Sequence, residues 1–379
     1  MLFVIDSSLA DPLERDSRPN DAVIDAASNL ALARREGKHL LFAERRTLRA
    51  CAESQWLSER VRGVYRHLLD NLPQMKTYLD NLARRVEVFA TDGIFECASQ
   101  SGCTVIRVSA SLLRDFSVLE KSIMLCENLT DTRFYRQLAE TYCHWSRLGN
   151  PMLRYEPRLG GGQTTSETYE SVRSSRSRLC LCIVDSDRTT PSGSLGSTAQ
   201  AAEDVHTCGV QPLCELIVLN ARAVENIIPT RMYQEAVWGD NNRMAGVLFL
   251  EDLESSDSAE ARLYLDVKGG LRLGEILHAP EESAFRRYWE PVARRAQATA
   301  RSVDTDCWAD PKCNSRRQCR CVVAPGMGVS ILEHVADFLD SKSTHKKAQL
   351  VDEPLREEWE SIGEVIVAWC CGSSPLRHV

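Results

Sequence analysis

The stretch Leu181-Cys182-Ile183-Val184-Asp185-Ser186-Asp187-Arg188 sets an apolar run directly before two acids. A short uninterrupted apolar run bounded by polar residues reads as a strand buried on both faces, as in a parallel sheet covered by helices. Asp185 and Asp187 then fall where that strand emerges into solvent. On an extended chain, residues i and i+2 point to the same side, so the two carboxylates would repel unless a hard cation sat between them. The competing reading of an isolated D-x-D is a turn opened by Asp185, with Asp187 capping a helix.

The neighbouring segments support the sheet. Ile123-Met124-Leu125-Cys126 reads as a strand ending at Glu127, and Asp131 to about Cys143 has helical periodicity, with Phe134, Leu138 and Tyr142 on one side. Met152-Leu153-Arg154-Tyr155 leads into Gly160-Gly161-Gly162, a turn, after which Thr164 or Thr165 would cap a helix. Beyond the D-x-D strand, Glu215 to Leu219 gives another strand, and Ala221 to Ile228 reads as a helix stopped by Pro229. Strands alternating with helices imply a mostly parallel sheet whose functional groups gather at the strands' carboxyl ends. Glu127 and Asp185 both hold that position.

On this reading the fold class is α/β, with the central sheet at 119–230. An N-terminal α/β domain occupies 1–118 and a C-terminal α+β region 231–379. In the first of these, strands end at Asp6 and at Ala43, a long helical pattern runs from Leu57 to about Leu82, and strands follow at Val86–Ala90 and Thr104–Val108. Asp6, Glu44 and Asp92 each follow an apolar run, a weak likeness to PIN nucleases against the plainer reading of loop-start acids. In the last region, Arg262 to Val267 reads as a short strand before Lys268-Gly269-Gly270, and Phe285 to Ala300 as an amphipathic helix. Cys307, Cys313, Cys319 and Cys321 stand close enough to wrap one tetrahedral Zn2+, although their spacing is not the paired C-x-x-C.

Composition bounds the class. The chain has 379 residues, 43% of them hydrophobic and 26% charged, which is ordinary for a globular protein with room for more than one core. No apolar run approaches a membrane span, and Met1 to Asp6 is too short and too soon charged for a signal peptide, so the expected location is the cytoplasm. The fifteen cysteines, many inside apolar runs, read as reduced thiols. A net charge of -7 argues against a generally basic nucleic-acid coat. It leaves room for a local basic groove, for which Arg173, Arg176, Arg178 and Arg188 around the acids, and Arg316, Arg317 and Arg320 later, are candidates.

An apolar strand ending in Glu127, a following helix, and a later strand ending in Asp185-Ser186-Asp187 resemble a Toprim domain, the metal-binding fold of topoisomerases, primases and OLD-type nucleases. Cys126-Glu127-Asn128-Leu129-Thr130-Asp131-Thr132-Arg133-Phe134-Tyr135 is similar to the version in ATPase-less relatives of the OLD nucleases, as is Leu219-Asn220-Ala221-Arg222-Ala223-Val224-Glu225-Asn226. The resemblance implies an Mg2+- or Mn2+-dependent endonuclease, acting on DNA ahead of RNA, with a role in defence against foreign nucleic acid. Glu127 would hold metal or act on the attacking water, Asp185 and Asp187 would bind metal, and Asp131 and Glu225 would complete a second metal site. Lys268 would neutralise transition-state charge, unless it is a plain surface lysine. Where the family has Gly after the strand-end Glu, this chain has Asn128, the residue after Gly best able to take a left-handed turn. There is no G-x-x-x-x-G-K-[ST], so an ATPase would have to come from a partner protein.

Two other readings stand beside this one. Asp185-Ser186-Asp187-Arg188-Thr189 satisfies D-x-D-x-T, the nucleophile motif of haloacid-dehalogenase-like phosphatases, in which Asp185 would attack phosphorus. A non-catalytic binding or assembly protein with a degenerate Toprim fold is the third.

Overall fold

The computed structural model describes residues 1–379 apart from 101, 147, 150, 300–307, 309–318, 378 and 379. Two compact units divide it. The first comprises Met1–Ile183, Ala201–Ile217 and Glu358–Val379, and the second comprises Val184–Gln200 and Val218–Glu357. The chain therefore passes between them four times, at 183/184, 200/201, 217/218 and 357/358.

The first unit opens with β1 (Leu2–Ile5), α1 (Ala10–Glu14), α2 (Asp21–Arg35), β2 (Leu40–Ala43), α3 (Arg45–Glu53), α4 (Glu59–Asp70), α5 (Leu72–Asn81), β3 (Arg84–Phe89), β4 (Phe95–Gln100) and β5 (Cys103–Ser109). Its sheet runs β2-β1-β3-β5-β4, parallel throughout except for the antiparallel β4. Sequence periodicity finds β1, β2, β3 and β5 because each carries buried apolar positions. It misses β4, an edge strand on which most residues are exposed and no apolar alternation is required.

A second sheet follows. Its elements are β6 (Ser122–Cys126), α6 (Leu129–Trp145), β7 (Met152–Leu153), β8 (Tyr155–Leu159), α7 (Thr165–Ser175), β9 (Cys180–Val184), α8 (Ser197–Thr207) and β10 (Cys214–Val218), with strand order β10-β9-β6-β8. β6 pairs in parallel with both β8 and β9, with Cys126 opposite Ile183. β10 runs in the same sense: the Cys180 N–H donates to Leu213 O at its start, and the Leu219 N–H donates to Val184 O just past its end. Every residue of β6 and β9 is buried, as their apolar sequences require of central parallel strands. The chain is thus mixed α/β, with parallel-dominated sheets flanked by helices. The thiols in these strands, Cys126, Cys180 and Cys182, are buried.

Helix α6 packs its apolar face inward. Phe134 is fully buried and meets the Trp359 ring edge-on at 5.6 Å between centroids. Trp359 belongs to the helix Glu353–Cys370, which approaches α6 so closely that a Cβ on Gly363 would lie 2.5 Å from Cβ of Tyr142. Thr164 sits where a cap for α7 was expected. Its hydroxyl instead donates to Gly160 O at 2.5 Å, so neither threonine caps the helix in the expected manner.

The second unit contains α9 (Thr230–Ala236), α10 (Asn241–Glu254), β11 (Leu271–Arg272), α11 (Leu273–Leu277), α12 (Ala284–Thr299), β12 (Val322–Ala324), α13 (Ile331–Asp340) and α14 (Thr344–Leu350). Helix α12 matches the amphipathic pattern of its sequence. The expected strand at Arg262–Val267 is absent, and Ala259–Tyr264 forms 3-10 turns instead. The reason lies in its carbonyls: Asn226 Nδ2 donates to Arg262 O and Leu265 O, and the Arg222 N–H takes Leu263 O, so no ladder can form. The expected helix from Ala221 to Ile228 shrinks likewise to a 3-10 turn, Val224–Ile227. Among the described residues, no helix is long and apolar enough to cross a membrane.

Truncating Phe134 tests the core of the first unit. Phe134→Ala is expected to cost about 3–5 kcal/mol of unfolding free energy, measured by urea denaturation, because it leaves a cavity against Trp359.

Candidate metal centre

The second unit contains four residues that the sequence singles out across more than eighty positions: Asp185, Asp187, Glu225 and Lys268. The D-x-D chain does not continue extended through its second acid. Asp187 adopts φ 54°, in the left-handed region, which Asp tolerates better than most residues. The expectation that both carboxylates leave an extended backbone on one side is therefore corrected. Ser186, between them, turns inward to donate its hydroxyl to Ala221 O at 2.7 Å. The Asp187 N–H donates to Arg222 O at 2.8 Å, fixing the turn. Gly196 lies against the Asp187 side chain so closely that a Cβ there would meet Oδ2 at 2.4 Å.

Asp185 is tied to the segment that carries Glu225. Its Oδ1 accepts the Val224 N–H at 2.9 Å. Asn226 braces the same turn, with Oδ1 accepting the Ala223 N–H at 3.0 Å. Between these anchors Glu225 is only 1% exposed. Its Oε1 meets Lys268 Nζ at 3.0 Å, while Oε2 is buried with no hydrogen-bond partner among the described residues. A buried carboxylate is costly to ionise without compensation, and the Tyr233 phenol, whose O–H donates to Glu225 O, feels it: burial first, then the Glu225 charge, pushes that phenol well above its ordinary value.

Lys268 is more than a surface lysine before two glycines. Asp266 closes its turn, accepting the Gly269 N–H on Oδ1 at 2.7 Å, and the Arg222 guanidinium reaches the other oxygen at 3.3 Å. The Gly328 N–H donates to Lys268 O at 3.0 Å, and a Cβ on Gly326 would lie 2.6 Å from the same carbonyl oxygen. Sequence reading missed Asp266 and Gly196. An Asp two residues before Lys-Gly-Gly is a legible turn signal, whereas nothing local marks Gly196.

Glu127 and Asp131 belong to the first unit. Glu127 follows β6 and is half-buried. Asn128 has extended dihedrals, φ -129° and ψ 154°, so no left-handed turn is demanded there and a missing glycine costs the backbone nothing. Asp131 caps α6, its Oδ2 accepting the Asn128 N–H at 2.8 Å. The triple glycine lies beside this turn, with the Gly161 N–H donating to Glu127 O at 3.1 Å.

Of the cysteine cluster, Cys307 and Cys313 lie outside the described residues. Cys319 and Cys321 are buried beside β11 and β12, and Cys319 Sγ accepts the Gly274 N–H at 3.2 Å. Arg316 and Arg317 also lie outside the described residues. Among those described, no three His, Cys, Asp or Glu side chains already stand together as a ligand set for a metal ion. Comparison with protein-family models, with curated proteins and with solved structures finds no match for this chain.

The Glu225–Lys268 pair makes a stability prediction. Lys268→Met is expected to destabilise the protein by about 1–3 kcal/mol by leaving a buried carboxylate unpaired, discounted because Lys268 is 37% exposed. In a double-mutant cycle followed by chemical denaturation, adding Glu225→Gln is expected to recover most of that loss. A second prediction concerns Gly196→Ala, whose added Cβ would lie 2.4 Å from Asp187 Oδ2 and 2.5 Å from its Cβ; a loss of about 1–3 kcal/mol of unfolding free energy is the expected result by chemical denaturation.

Proposed function

We propose that this chain is a metal-dependent nuclease that hydrolyses phosphodiester bonds, with a Toprim-like arrangement of its central sheet and DNA ahead of RNA as substrate. The observation that carries the reading is the buried Glu225 carboxylate, with one oxygen on Lys268 and the other without a partner among the described residues, in the turn whose Val224 N–H is held by Asp185. A hard oxygen donor with no hydrogen-bond partner among the described residues, in a turn tied to Asp185, suits Mg2+ or Mn2+. Asp185, Asp187 and Glu225 would hold the ion, which supplies a lowered pKa to bound water and a counter-charge to the phosphate.

The chain's own groups define what else the site does. Lys268, positioned by Asp266 and by the glycine contacts, brings a positive charge to the place where negative charge grows as the phosphorus–oxygen bond breaks. Glu127 joins the proposal on its sequence motif, as a ligand or as the group that takes the proton of the attacking water. Asp131 caps α6 and so steadies the turn that carries Glu127, and the motif also offers it as a ligand.

Cleavage of plasmid and linear DNA with Mn2+ or Mg2+, against EDTA, is the test. Asp185→Ala is expected to lower the rate on the order of 10²- to 10³-fold, equivalent to losing about 3–4 kcal/mol of transition-state stabilisation. Glu127→Gln is expected to act in the same direction with the fold intact by circular dichroism. A trapped aspartyl-phosphate on Asp185, in place of DNA cleavage, would replace the nuclease by the phosphatase reading.

A further inference from the structure

Four arginines surround the D-x-D motif in sequence, and three have structural work. Arg173, 7% exposed, donates to Cys208 O at 3.3 Å and Gly209 O at 2.9 Å. Arg178 donates to Lys121 O and to Glu156 Oε2, both at 2.8 Å. Arg176 ends α7 in a left-handed conformation, φ 50°, with its guanidinium 5.8 Å from the centre of the Phe95 ring.

Arg188 differs from these. Its main-chain N–H donates to Ser186 Oγ at 3.3 Å, but its guanidinium forms no ion pair or hydrogen bond among the described residues, and its Nε is buried without a partner. A guanidinium stays charged at any pH at which a protein is folded, and its fork of donors matches the paired oxygens of a phosphate. The backbone on either side of it is fixed. Before it stands the left-handed turn at Asp187, and after it Thr189, whose carbonyl accepts Trp289 Nε1 at 2.8 Å. The side chain therefore starts from a rigid base one residue beyond the acidic pair, and little backbone entropy remains to be lost when it binds. Asp185, Asp187 and the chain's net charge of -7 would otherwise repel a phosphodiester from this place.

We propose that Arg188 anchors the bound nucleic-acid strand by gripping the non-bridging oxygens of a phosphodiester beside Asp185 and Asp187. This deepens the nuclease reading and rests on it for the substrate. The anchor is a binding group; it holds the strand and transfers no proton.

The test separates binding from cleavage. A short fluorescein-labelled DNA is titrated in EDTA, so that no turnover occurs, and its anisotropy is followed over a range of salt. Arg188→Ala is expected to weaken binding on the order of 10- to 100-fold and to lower the slope of log affinity against log salt by about 0.7–0.9, one phosphate contact. Arg188→Lys should keep the salt slope but recover only part of the affinity, because it lacks the fork. Added guanidinium ion should partly rescue Arg188→Ala, which a merely structural role would not allow. Wild-type affinity and slope in Arg188→Ala would overturn the proposal, and so would a wild-type protein that binds no DNA. If Arg188→Ala fails to fold, the Lys variant's loss of affinity at unchanged slope carries the same decision. Inorganic phosphate that competes as strongly as unlabelled DNA would overturn the assignment to a strand. Arg188-dependent DNA binding without any Mn2+-dependent cleavage would remove the nuclease reading and leave the anchor standing.

Discussion

A carboxylate shut away from water needs an opposite charge close by, and the second unit is arranged around that need at Glu225. Lys268 satisfies one of its oxygens, and the lysine is in turn held by a turn that Asp266 closes and by two backbones that meet where only glycine fits. The Val224 N–H, one residue away, is given to Asp185. A change at any of these positions is felt at the others, because a buried ionic group shares its solvation among all its neighbours. This places Asp185 and a distant lysine under one electrostatic constraint.

Much of this was legible in the sequence, for reasons that differ by element. β6 and β9 are buried on both faces, so their composition alone declares them. The acids after them are visible as acids, but their geometry was not. The left-handed turn at Asp187 depends on Ser186 finding Ala221 O and on Gly196 leaving room, and both are tertiary facts. Asn128 illustrates the reverse: the sequence offers it as the residue after Gly best able to take a left-handed turn, yet the backbone there is extended and demands neither.

The segments misread from periodicity share one cause. Arg262 to Val267 alternates like a strand, and Ala221 to Ile228 has helical composition, but each has its main-chain groups claimed by side chains of the other or of the D-x-D turn. Asn226 alone donates to two carbonyls of the first segment and accepts an N–H of its own. Local propensity is a weak prior where a side chain offers the backbone a better partner. These claims are also what bring Glu225 and Lys268 together, so the places where the pattern fails are those nearest the site.

The fourfold passage of the chain between the two units bears on biosynthesis. The first unit draws its last piece from Glu358 onward, so during vectorial synthesis it cannot close until that helix has cleared the ribosome. The second unit, by contrast, has all its parts by Glu357. Early domains usually fold as they emerge; here the earlier-begun unit must wait for the later one, and no single nick in the polypeptide would release either of them whole.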